Sequence, residues 1–124
     1  MRTFQVTYLL GRLGQDPETR HTPDGQAVTK FSLATDRPAK PGIQSEPDWH
    51  SVVCFQRLAE VAGKYLAKGR SVFVAGRLAY RVWEDKEGQK RRTTEIVASE
   101  LILLDRKPEP DLRVVGGEDP DLPF

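Results

Sequence analysis

Trp49-His50-Ser51-Val52-Val53-Cys54-Phe55 is the first stretch whose residue types and spacing point to a chemistry. It alternates as a β-strand does, and strand side chains point to opposite faces with period two. Trp49, Ser51, Val53 and Phe55 therefore share one face, and His50, Val52 and Cys54 the other. The longer stretch from Phe73 to Trp83 repeats the arrangement. Phe73, Arg77, Arg81 and Trp83 fall on one face; Val74, Leu78, Tyr80 and Val82 fall on the other. Rings and arginines interleaved on one sheet face suit a single-stranded nucleic acid. Rings stack on a base without reading its identity, and guanidinium groups follow the phosphates.

Other chemistry is sparse. The two histidines are His21, in a loop-like stretch, and His50, and no carboxylates cluster with either along the sequence. No catalytic residue, metal ligand set or cofactor site is therefore expected. A nuclease would need a metal-binding carboxylate cluster with a placed arginine, and the sequence offers none. Cys54 is the only cysteine, which excludes a disulfide or a cysteine-built zinc site within one chain. It is expected to be a small buried residue on the core side of its strand. Gly63 to Ser71 imitates a phosphate loop, but five residues separate Gly63 from Gly69 and Arg70 stands where lysine is required. The segment also closes a helix instead of opening one, so the phosphate-loop reading fails.

Charge is uneven along the 124 residues. From Asp105 onward six acids (Asp105, Glu109, Asp111, Glu118, Asp119, Asp121) face three bases (Arg106, Lys107, Arg113), giving −3, while residues 1–104 carry +4. A basic body with an acidic end suggests a polyanion partner for one and a basic partner for the other. Gln5 and Thr7 interrupt the apolar residues near Met1, so neither a signal peptide nor a membrane span is expected. The default compartment is a reducing cytoplasm.

The elements that must position the aromatic face follow from periodicity. Strands are expected at Thr3–Leu10, Ala27–Thr35, Asp48–Phe55, Ser71–Trp83 and Arg92–Leu104. Gly11 ends or bulges the first, and Gly14 to Arg20 reads as loop before a tight turn at Thr22-Pro23-Asp24-Gly25. Asp36 to Pro47, with three prolines, reads as a mobile loop. Leu58, Val61, Ala62, Tyr65 and Leu66 form one apolar stripe at helical spacing, closed by Gly69. A charged hairpin tip is expected around Gly88. Residues 105–124, crowded with proline and glycine, read as disordered. All-β with one helix between strands three and four is the order of an OB-fold, a five-stranded, partly open Greek-key barrel. The domain is thus 1–104, followed by a linker and an acidic tip.

In order along the chain, Gly11-Arg12-Leu13-Gly14-Gln15-Asp16-Pro17-Glu18, Phe31-Ser32-Leu33-Ala34-Thr35, Asp48-Trp49-His50-Ser51-Val52-Val53, Leu58-Ala59-Glu60-Val61-Ala62 and Thr93-Thr94-Glu95 resemble bacterial single-stranded-DNA-binding proteins. The match runs across roughly residues 4–104. The resemblance implies an OB-fold homotetramer, cytoplasmic and nucleoid-associated, that wraps single-stranded DNA during replication, recombination and repair. It puts Trp49, Phe55 and Trp83 at base-stacking positions and Arg57, Lys68 and Arg81 at basic positions along the DNA, with Arg77 added from the strand pattern. His50 falls on a subunit-contact position, and the first strand, with Gln5 and Thr7, on the strand that pairs across a dimer interface. Asp119, Asp121, Leu122, Pro123 and Phe124 resemble an acidic tip that docks on replication and repair proteins. No ring stands near Ala39, where the family has a fourth stacking position, and Ser51, Ala79 and Val82 replace bases found in some members. The linker, treated as a flexible coil, spans about 20 Å. The rival expectation is a primosome or replication-adaptor OB domain with weak DNA affinity.

Overall fold

The alternating runs become seven strands in the computed structural model, which describes residues 1–37, 41–42, 46–104 and 113–115, the last by backbone alone. The order is β1 (Thr7–Leu13), β2 (Glu18–His21), β3 (Ala27–Asp36), β4 (Pro47–Phe55), α1 (Gln56–Tyr65), β5 (Ser71–Glu84), β6 (Lys90–Leu103) and β7 (Arg113–Val115). Neighbours in the sheet run β1-β5-β6-β4-β3-β2, with β7 on β6. The end of β1 returns to β3, Arg12 opposite Ala34 and Leu13 opposite Leu33. That short seam brings β1, β5, β6, β4 and β3 round into a barrel. Among the described residues only the β4–β6 contact is parallel, at Val52 opposite Ile96 and Val53 opposite Val97. This is the expected all-β fold with one helix, here between β4 and β5.

The inward residues of every barrel strand meet in one core: Leu13, Phe31, Leu33, Val52, Cys54, Val72, Val74, Ile96 and Leu101. Burying each large apolar side chain contributes about 1.5–3 kcal/mol. The α1 stripe, Leu58, Ala59, Val61 and Ala62, closes one end of the barrel. Thr29, buried on β3, ties helix to sheet: its hydroxyl donates to the Ala59 carbonyl at 2.7 Å and lies 2.8 Å from the Thr19 hydroxyl on β2. Cys54 is sealed in the core, and burial pushes its thiol up to about 12, so it stays protonated at neutral pH.

Three elements differ from the periodicity reading. The first strand runs Thr7–Leu13, not Thr3–Leu10, because its pairing with β5 extends from Thr7 opposite Gly76 to Arg12 opposite Ser71. Gly11, expected to interrupt the strand, lies inside it where β1 crosses β3. A Cβ there would sit 2.2 Å from the Ala34 carbonyl oxygen, so only glycine permits the seam. Glu18–His21, expected as loop, forms β2 by pairing with Ala27–Lys30 across the predicted Thr22–Gly25 turn. Its residues are polar and all exposed, so no burial pattern marks them. Arg113–Val115, expected within a disordered tail, pairs with Glu100–Ile102. The rest of 105–124, including the expected acidic tip, lies outside the described residues, as does Ala39.

Candidate nucleic-acid interface

The outward residues of β3, β4, β6 and β5 form a continuous wall, because pairing keeps faces in register from strand to strand. Lys30 stands opposite Val53. Val53 stands opposite Val97, and Val97 opposite Arg77. Trp49 lies at one end of this wall and is 59% exposed. Its indole rests on Gly14, where a Cβ would come within 2.4 Å of the ring. The groove beside it is lined by Gly14, Gln15, Ser32 and Trp49. The next depression continues along Gln15, Asp16, Glu18, Lys30 and Ser51, and a third along Glu18, Arg20, Val28 and Lys30. Phe55, opposite Val28 and 46% exposed, marks the far end of β4.

Beyond Leu78 the β5–β6 hairpin leaves the core, and residues 80–84 are all exposed. The hairpin is therefore an arm. On its wall-side face Arg81 stands opposite Thr93 and Trp83 opposite Arg91. Trp83 is 45% exposed and its indole N–H donates to the Thr93 hydroxyl at 2.8 Å, which sets the ring's orientation without hiding it. The arm's tip is knitted by Asp85, whose carboxylate accepts from the backbone N–H groups of Glu87 and Gln89 and from Arg91 Nε at 3.0 Å. The Gln89 backbone hydrogen bond, then the Arg91 bond, holds its carboxyl below the usual range.

The predicted binding residues fall in different places. Trp49, Phe55, Trp83, Arg77 and Arg81 all lie on the wall or its arm, and Arg77 is exposed. Lys68 is exposed just after α1, where its backbone N–H donates to Asp16 at 2.9 Å and so borders the groove. Arg57 is half-buried at the start of α1, its Nε without a hydrogen-bond partner among the described residues. Val53 faces the wall but is only 3% exposed, because it is flanked by Lys30 and Val97. Phe73 does not join the arginines: its ring stacks on Tyr8 with centroids 5.6 Å apart. Tyr80 and Val82, assigned to the opposite face, are exposed there because that face has left the core.

Two charged residues of the wall carry geometry the composition did not announce. Glu95, its side chain mostly buried, sits 3.9 Å from Lys30 Nζ and 3.8 Å from Arg81. Alternation along β3 turns Lys30 outward, whereas the place of Glu95 follows from the arm's register. Of the expected oligomer contacts, His50 Nε2 lies 2.8 Å from the Thr35 hydroxyl, Gln5 Oε1 accepts from the Leu78 backbone at 2.5 Å, and Thr7 pairs opposite Gly76. Among the described residues no group of three or more His, Cys, Asp or Glu could hold a metal ion, and no helix is long and apolar enough to cross a membrane.

Both the sequence and the fold of this chain are shared with known proteins. The sequence model of the Single-strand binding protein family matches residues 4–104. The chain belongs to that family. A relative, single-stranded DNA-binding protein 1 of Chlorobaculum tepidum, is 43% identical over 110 residues, covering 86% of this chain and 68% of that protein. Among solved structures, a Plasmodium falciparum SSB in complex with single-stranded DNA superposes with a TM-score of 0.78 at 35% identity. The match covers 85% of this chain and 98% of that one.

Proposed function

We propose that the chain binds single-stranded DNA without reading its sequence, and that it is a binding protein, not an enzyme. The observation that carries this reading is the set of three exposed rings, Trp49, Phe55 and Trp83, along one barrel wall with Lys30, Arg77 and Arg81 between them. Bases stack on the rings and phosphates run over the cations; the oxygen-rich groove from Gln15 to Ser51 accommodates sugar and base edges. Lys68, beside that groove, and Arg57, near Phe55, extend the positive track. Membership of the family and the likeness to a DNA-bound relative support the same reading.

Finer parts of the proposal rest on less of the molecule. Self-association, taken as a homotetramer, is supported by the exposed apolar residues Phe4, Val6, Tyr8 and Leu10, in β1 or just before it. Recruitment of replication and repair proteins rests on the sequence of the acidic end, Asp119, Asp121 and Leu122-Pro123-Phe124. An aromatic ring beside acidic side chains suits a basic-rimmed pocket on a partner. Service in replication, recombination and repair, in the cytoplasm, follows from such partners.

The deciding experiment is a tryptophan-fluorescence titration with oligo-dT. Quenching with submicromolar affinity is expected, and Trp49→Ala and Trp83→Ala should each weaken binding by about 1–3 kcal/mol with the melting temperature held. An adaptor domain would show no quenching. Rings that serve only the fold would show the opposite pattern, lost stability at constant affinity.

A further inference from the structure

The arm has a second face. Pairing places Tyr80 opposite Thr94, Val82 opposite Arg92 and Glu84 opposite Lys90, all pointing away from Trp83 and Arg81. In the barrel this is the core-facing side, where Leu78 stands opposite Ile96. Past Leu78 no core lies beneath it. Tyr80 is 55% and Val82 65% exposed. The Arg92 guanidinium lies over the Tyr80 ring, 4.1 Å from its centroid.

Exposed apolar groups rimmed by charge mark contact surfaces. The charge says which contact. Lys90 and Arg92 outnumber Glu84 on this face. A guanidinium laid flat on a tyrosine makes a planar, positive ledge, and bases stack on guanidinium planes as they do on rings. The ledge is also continuous with the proposed track, because the same two strands carry Trp83 and Arg81 on their other side.

We propose that the Tyr80–Val82–Arg92 face is a second stacking ledge for single-stranded DNA, so that a bound strand crosses the Trp83 face and passes over the arm to its back. This rests on the reading of the front wall as a DNA surface. The ledge adds length to the site, not strength to its first few nucleotides.

The test combines Tyr80→Thr, Val82→Thr and Arg92→Gln in the full chain. All three residues lie outside the core and the replacements suit a strand, so the fold should hold. Short oligo-dT of about 10 nucleotides, within the span of one OB barrel, should bind the variant as it binds the parent. Long poly-dT should bind about tenfold or more weakly, as expected for one lost stacked base. The number of nucleotides occluded per chain should fall, and the salt slope should drop by about 0.7 for the lost arginine. Unchanged occluded length and slope, with the parent binding normally, would overturn the ledge and leave the front wall standing. Dissociation of the variant into smaller species on sedimentation would overturn it too, making the face a contact between copies. A parent chain that failed to bind oligo-dT would overturn both readings.

Discussion

One barrel surface carries two kinds of aromatic region. On the β3–β4–β6 side and the arm, Trp49, Phe55 and Trp83 stand separately, with Lys30, Arg77 and Arg81 spaced among them. On the β1–β5 side, Phe4, Val6, Tyr8 and Leu10, in β1 or just before it, are all exposed, and Tyr8 stacks on Phe73. Both regions expose large apolar groups, but only the first intersperses them with positive charge. Separated rings leave faces free for bases; rings already stacked on each other, among aliphatic neighbours, suit a protein surface of like kind. Ring count alone therefore does not identify a nucleic-acid surface.

The comparison breaks most visibly if the apolar region is charged. Tyr8→Glu with Leu10→Glu should abolish self-association by analytical sedimentation. Binding of short oligo-dT should change little, because the mutated residues lie away from the wall. If the double variant stayed fully assembled, the apolar region would not be the contact. Next in size is Gly14→Ala. The added methyl would meet the Trp49 indole at 2.4 Å and must push it off its seat. Affinity for oligo-dT should fall toward that of a Trp49 deletion, about 1–3 kcal/mol, with little change in melting temperature. Intact affinity would mean that the ring's seat is irrelevant.

Smaller effects sharpen the picture on the basic side. Glu95 neutralises Lys30 and Arg81 in the free protein. Glu95→Gln should free both for phosphate, raising affinity a few-fold and steepening the salt slope by up to about 0.7 per cation released. A loss of affinity would instead make Glu95 a support that positions those cations. The smallest effect concerns Asp85. Its carboxyl is held below its ordinary value of about 3.9. A depressed acid stabilises the folded arm above that value and ceases to as pH falls through its folded value. Amide exchange at Glu87 and Gln89 should therefore quicken only below about pH 4, and Asp85→Asn should flatten that dependence. Unaltered exchange across this range would mean that the carboxylate does not order the tip.

What the sequence could show followed from what each residue must bury. β3, β4, β5 and β6 each bury one face over part of their length, so alternation placed them to within one or two residues at either end. The helical stripe from Leu58 to Leu66 was legible for the same reason, although α1 stops at Tyr65 and Gly69 serves the following turn, where its N–H donates to the Leu13 carbonyl. β2 buries nothing and owes its existence to a partner strand, which no local pattern can report. Parity assigned Trp49 and Trp83 each to a face of its own strand, and the family resemblance made those faces one surface. Parity could not say that Val53 would be hidden by its neighbours, nor that the arm would leave the core and expose Tyr80. Both depend on which strands lie alongside, a property of the whole sheet.

The sealed thiol of Cys54 has a practical corollary. With its sulfur protonated and shut inside the barrel, the native chain offers thiol-directed reagents nothing to attack at neutral pH. A single cysteine introduced at the hairpin tip, for instance Gly88→Cys, would then be the one reactive handle per chain. A dye attached there would report the arm's motion against a labelled oligonucleotide with no need to remove the native residue first.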